Sequence, residues 1–144
     1  MKSKDFYKQT AWKWFSRYVL LYYSTDGAVQ CVTSGRWYNC NSKNMHCGHL
    51  QKVFDTGGKT NFATAFDFTN VLPQCHQDNV YKGGNELKML EAIEKTHGKG
   101  TYEELKRKAR QAFRLDAVTL MEISYEYRTK FNELTKTKGN PWKR

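Results

Sequence analysis

Three side chains carry the chemistry this chain could do: His49, Asn70 and Asn79, in that order between Met45 and Asn85. Hydrolysing a phosphodiester needs a base that activates water, a divalent cation on the phosphoryl and leaving oxygens, and a frame holding both in line. His49 suits the base, because an imidazole changes charge near neutral pH. It follows Gly48, where the bare backbone could come close to a phosphate. Asn79, nine residues after Asn70, offers a neutral amide oxygen that suits Mg²⁺ or Mn²⁺. His46 could ligate the metal, bind phosphate or face solvent. Each residue also has a plain structural reading: a hydrogen-bonded strand histidine, a turn asparagine, an exposed helix position. The order, more than any one residue, makes the site.

The cysteines form a second, incomplete pattern. Cys31-x-x-Ser34 and Cys75-x-x-Asp78 stand where two Cys-x-x-Cys knuckles would flank the His49 strand. An intact pair of knuckles would indicate structural zinc; here Cys31, Cys75 and Asp78 remain as ligands and Ser34 is a poor one. Cys40, Cys47 or His76 could substitute. The competing expectation is buried free thiols packing as small hydrophobes. Disulfides are not expected without a secretory signal, and none opens the sequence.

The elements that must position these residues follow from apolar spacing. Ala11, Trp12, Phe15, Val19 and Tyr22 predict a helix over 4–23, with Ser3 or Asp5 as its cap. Residues 28–32 and 45–54 read as extended, with a polar loop or hairpin tip at 39–44 between them. A flexible connection at 55–64 leads to a second extended piece, 66–72, which Pro73 stops. Residues 76–81 predict a first helical turn, broken at Gly83-Gly84. Asn85 then caps a helix with an apolar face of Leu87, Leu90 and Ile93. Thr101-x-x-Glu104 is a capping box for a basic helix over 102–114. Asp116 caps a last helix on which Leu120, Ser124, Tyr127, Phe131 and Leu134 recur at fours and threes. That face is either internal core or a dimer interface. The tail at 135–144 is expected to fray.

The whole is 144 residues with a net charge of +10 and 15% aromatics, one domain's worth of chain. It divides into an N-terminal helix (1–26), a core (27–97), C-terminal helices (101–134) and the basic tail. A basic, aromatic-rich domain of this size meets a polyanion more often than not. Lys13, Arg17, Lys82, Lys106, Arg107, Lys108 and Arg110 are the candidate phosphate contacts. The longest apolar run, at 18–23, is far too short to span a bilayer, so a cytoplasmic protein without a membrane partner is expected.

These residues resemble the NinG (Rap) recombination proteins of lambdoid phages, nucleases of the HNH (ββα-metal) type. The likeness rests on Cys31-Val32-Thr33-Ser34-Gly35, Cys47-Gly48-His49-Leu50, and Phe66 to Asn79 with Asn70, Gln74, Cys75 and Asn79 in register. It continues through Gly83-Gly84-Asn85 to Glu126-Tyr127-Arg128-Thr129-Lys130-Phe131, and so spans most of residues 5–134. The resemblance implies an α+β fold in which a β-hairpin plus helix is flanked by N- and C-terminal helices. It implies a structure-selective endonuclease for branched DNA such as Holliday junctions and D-loops, working in the host cytoplasm. His49 would be the base, Asn70 the residue fixing the loop around it, and Asn79 a ligand of one Mg²⁺ or Mn²⁺. His46, where a relative has Asp, would be the second ligand; its imidazole favours transition metals over Mg²⁺. Cutting a junction twice implies a homodimer. Ser34 and Asp78 depart from the family pattern. Two other functions fit the same residues: a non-catalytic DNA-binding protein on a degenerate HNH fold, and an HNH nickase cutting linear duplex.

Overall fold

The computed structural model describes residues 2–53, 62–81, 85–111, 113 and 115–143. The fold is α+β, with two small antiparallel sheets and α-helices in the order α1 (Lys4–Tyr22), β1 (Ala28–Gln30), β2 (Trp37–Asn39), β3 (Met45–His49), β4 (Val71–Cys75), α2 (Glu86–His97), α3 (Thr101–Ala109) and α4 (Ala117–Lys138). A 3₁₀ turn, Phe68–Asn70, precedes β4, and a π-helical turn, Gln77–Tyr81, follows it. No helix of the described residues is long and apolar enough to cross a membrane.

Local chemistry starts the two long helices where the sequence predicts. The Ser3 hydroxyl accepts the Phe6 N–H and the Asp116 carboxylate accepts the Thr119 N–H, each satisfying an otherwise orphaned donor. Ala11, Phe15 and Val19 bury one stripe of α1, while Trp12 is half-buried and Tyr22 is exposed. Leu120, Tyr127 and Phe131 of α4 are buried, the Phe15 and Tyr127 rings meeting edge to face at 4.8 Å. The four-three face of α4 is therefore internal core packed on α1, not a dimer interface. The described part of the tail, through Lys143, is packed rather than frayed. Lys138 Nζ donates to the carbonyls of Leu21, Tyr22 and Ser24, putting a cation on the C-terminal end of α1. Trp142 then packs its ring on Phe131 at 5.7 Å.

The hairpin of β3 and β4 lies between α1 and α2. Its register pairs Met45 with Cys75 and His49 with Val71. Pro73 does not stop the strand but sits within it, opposite Cys47. Leu50 N–H bonds Asn70 and His76 N–H bonds Asn44, so the hydrogen-bonded pairs fall at even positions. Pro73 occupies a non-hydrogen-bonded pair, where its missing N–H costs the ladder nothing. Cys47 and Val71 face Phe15 and Val19 of α1, while Leu72 faces Met89 and Ile93 of α2.

Other boundaries shift for local reasons. β3 ends at His49, and Phe66 precedes the second strand. Asn85 stands at the N-cap of α2 in a left-handed conformation without a side-chain cap bond. Leu87 is 70% exposed and the inward face is Met89 and Ile93, since Leu87 lies half a turn off that row. The capping box at Thr101 does not form: Gly100 is the N-cap, Thr101 Oγ1 donates to Gly98 and Glu104 pairs with Arg107. Helix α3 stops at Ala109. The predicted contact Lys82, the Gly83-Gly84 break, Arg114 and most of the 55–64 connection lie outside the described residues.

Candidate functional site

His49 and Asn70 form one hydrogen-bonded unit around the loop that leaves β3. Asn70 is fully buried; its Oδ1 accepts the Gln51 N–H at 2.7 Å, and its Nδ2 donates to the carbonyls of Gln51 at 2.9 Å and Thr64 at 3.0 Å. This fixes the chain two residues beyond His49. The His49 Nε2 lies 2.9 Å from the Ala65 carbonyl. A carbonyl only accepts, so Nε2 carries the proton and Nδ1 keeps the lone pair. The ring stacks on Trp12 at 5.1 Å. Burial pushes its pKa below the usual value, opposed by the bond to Ala65 and aided by nearby Lys52, so the imidazole is neutral at pH 7. His49 lines a cavity of about 320 Å³ with Lys8, Gln9, Trp12, Val53 and Phe62.

His46 and Asn79 meet on another side of the hairpin. The His46 Nδ1 is 3.1 Å from the Asn79 amide nitrogen, and the His46 Nε2 is 3.4 Å from Nδ1 of His76. Burial and the neighbouring His76 lower the His46 pKa, opposed by a hydrogen bond to the Lys43 backbone that raises it. A cavity of about 350 Å³ opens there, lined by His46, Asn79, Cys47 and Met45 and by Trp12, Ser16 and Leu20 of α1. Strand alternation sends His46 and His49 to opposite faces of β3. None of the hydrogen bonds or ring contacts of His49 reaches His46 or Asn79. Trp12 lines both cavities.

Gly48, between these histidines, is not open to a ligand. A Cβ there would stand 2.9 Å from Cβ of Gln74 and 3.0 Å from Cε of Met89. The protein's own packing, rather than a phosphate, takes up that space.

The four knuckle positions do come together. Ligand atoms of Cys31, Cys75 and Asp78, all buried, lie within 4.8 Å of one another and could hold a metal ion. Two thiols and a carboxylate are a chemically competent donor set for a transition metal. Hydroxyls hold the departures from the pattern: Thr33 Oγ1 donates to Asp78 at 2.6 Å, and the Cys75 thiol reaches Ser34 Oγ at 3.8 Å. Cys31 Sγ accepts the backbone N–H of Cys75 at 3.1 Å and of Ser34 at 3.4 Å. Burial alone would raise the Cys31 pKa, but the Ser34 and Thr33 side chains and these two N–H groups bring it to about 7. Cys40 packs in the same buried cluster as Cys31 and Cys75 but, like Cys47, is not part of the ligand group, and burial raises both thiols.

The predicted basic helix is largely neutralised. Lys106 pairs with Glu103 at 3.0 Å, Arg107 with Glu104, and Lys108 with Asp67 at 2.6 Å. Arg110, just past the end of α3, has no ion pair among the described residues. On α1 the outcome differs. Lys13, Arg17 and Arg128 gather over the Trp14 ring at 4.9, 6.0 and 5.5 Å, and Arg17 also lies 5.4 Å from the Trp142 ring. Ion pairs to none of these three are formed by the described acidic residues.

Sequence reasoning missed His76 as the partner of His46, Trp12 as the ring covering His49, and Arg128 beside Arg17. The signal for Arg128 was present: it follows the buried Tyr127 on a helix whose inner face was already predicted. Comparison with protein-family models, with curated proteins and with solved structures finds no match to this chain.

Proposed function

We propose that the chain is a metal-dependent DNA endonuclease of the HNH type, related to the NinG (Rap) proteins and acting on branched recombination intermediates. The observation that carries this reading is the His49–Ala65 bond. It holds a neutral imidazole in the one tautomer whose Nδ1 can take a proton from water, while Asn70 pins the loop behind it. In this reading β3, β4 and the turn bearing Asn79 are the ββα core. A divalent ion in the pocket lined by His46 and Asn79 would neutralise charge on a phosphate that reaches past Trp12, the side chain lining both this pocket and the His49 cavity. Lys13, Arg17 and Arg128 would bind backbone phosphates along one arm, contacts that position DNA without reading its sequence. The resolution of a four-way junction takes two cuts, and so two copies of the chain.

The test is cleavage of a synthetic four-way junction and of matched linear duplex in Mg²⁺ and in Mn²⁺. The wild type is expected to cut the junction, and His49→Ala to bind it equally well without cutting. Binding without cutting by the wild type in either metal would leave a non-catalytic DNA-binding protein. Equal cutting of plain duplex would leave a nickase instead, and unchanged cutting by His49→Ala would remove His49 as the base.

A further inference from the structure

The separation of His46 and His76 has a direct chemical meaning. Two imidazole nitrogens bound to one tetrahedral ion at about 2.0–2.1 Å stand roughly 3.3–3.4 Å apart. The His46 Nε2 and the His76 Nδ1 are 3.4 Å apart. They come from different elements, β3 and the residue after β4, and the strand pairing fixes their distance: His46 pairs with Gln74, and His76 N–H bonds the Asn44 carbonyl at 2.7 Å.

We propose that His46 Nε2 and His76 Nδ1 bind one divalent transition-metal ion of the Zn²⁺ class, and that Asn79 orients His46 without touching the ion. His46 can offer only one nitrogen to a given ion. Its Nε2 faces a second imidazole, a better donor to such metals than an amide. Its Nδ1 faces the Asn79 amide at 3.1 Å. With Nε2 on the metal, Nδ1 must carry the ring proton and needs an acceptor. A half-turn of the Asn79 amide brings its oxygen there, the arrangement that orients many metal-bound histidines. The proton between the imidazoles moves to Nδ1 of His46, so none leaves the protein. Two protein ligands leave further coordination positions for water or substrate, as an ion serving a reaction requires, and His46 also lines the cavity of about 350 Å³.

This inference rests on the nuclease reading only for what the ion would do; binding is measured on the chain without DNA. The experiment titrates metal-free protein with Zn²⁺ while following the histidine ring nitrogens by long-range ¹H–¹⁵N NMR. The expected result is a shift of His46 Nε2 and His76 Nδ1 on the wild type, requiring no substitution. Co²⁺ should give tetrahedral absorption with a component free of thiolate charge transfer, which separates this site from the one at Cys31 and Cys75. His46→Gln and His76→Gln should each abolish that component. Asn79→Leu should weaken it by about 10–100-fold, the usual cost of losing an orienting partner. A shift at His46 Nδ1 instead, or a His76→Gln chain that titrates like the wild type, would overturn the ligand set. So would Mg²⁺ displacing Co²⁺ at equal concentration. Junction cleavage that persists after such a result would sink this ligand set and spare the nuclease reading; metal binding without cleavage would do the reverse.

Discussion

Replacing Asn70 by alanine removes three hydrogen bonds and the volume of an amide at a fully buried position. Each bond contributes about 0.5–1.5 kcal/mol net, so the loss is about 3 kcal/mol. The orphaned groups differ in how far water can rescue them. Gln51 is half-buried and can be partly rehydrated, whereas Thr64 is fully buried and its carbonyl is left with the Asp67 N–H at 3.2 Å as its remaining partner. For a domain of this size that corresponds to a fall in Tm of roughly 6–12 °C. Urea denaturation followed by tryptophan fluorescence measures it, with the m-value expected to stay constant. Asn70→Asp sharpens the reasoning. A carboxylate keeps the acceptor for Gln51 N–H but faces the Gln51 and Thr64 carbonyls without a proton to give. At pH 7 it should be at least as damaging as alanine. A loss below about 1 kcal/mol for Asn70→Ala, or an aspartate variant more stable than the alanine one, would refute the assignment of Asn70 as the pin of this loop.

Gly48→Ala should destabilise by about 1–3 kcal/mol in thermal melts, because the added methyl meets Cβ of Gln74, which the β4 backbone holds in place. Lys138→Met should cost about 1–2 kcal/mol by releasing the carbonyls at the end of α1, and amide hydrogen exchange should rise first around residues 21–24. His46, His49 and His97 all have pKa values held below 6.5 by burial, so the unfolded chain binds more protons near that pH. Their contribution is full above 6.5 and is lost as the pH falls through the folded values. Stability should therefore decline on acidification from pH 7.5 to 5 in urea titrations, and His49→Gln should flatten the slope. Lys106→Gln and Arg107→Gln, both in exposed ion pairs, should shift stability by less than about 0.5 kcal/mol. They should weaken junction binding less than Arg17→Gln and Arg128→Gln do in a fluorescence-anisotropy assay.

What could be read from the chain alone follows a physical divide. Ser3 and Asp116 were legible as caps because a cap bonds an N–H three residues away and needs nothing else. The faces of α1 and α4 were legible because burial imposes a period. The pairing of His46 with His76 was not, since it depends on the register of two strands joined through a long connection. The basic run of α3 was misjudged for a different reason. Glu103 and Glu104 stand one turn before Lys106 and Arg107, so that neutralisation was open to inspection, whereas Asp67 reaches Lys108 only through the tertiary fold. Pro73 was read as a terminator because its tolerance depends on which pair of the ladder it occupies.

The packing of α1 on α4, more extensive than between any other two elements, constrains the order in which the chain can fold. During synthesis the apolar stripe of α1 emerges roughly a hundred residues before Leu120, Tyr127 and Phe131 exist to cover it. The β3–β4 hairpin can close earlier, yet its Cys47 and Val71 face needs α1 in place. A ribosome-bound chain ending before residue 117 should thus leave Trp14 and Phe15 without the Phe131 and Tyr127 rings that meet them, a natural target for chaperones that hold apolar segments. Folding to the native state then becomes a late, single step rather than a sequence of independently stable pieces.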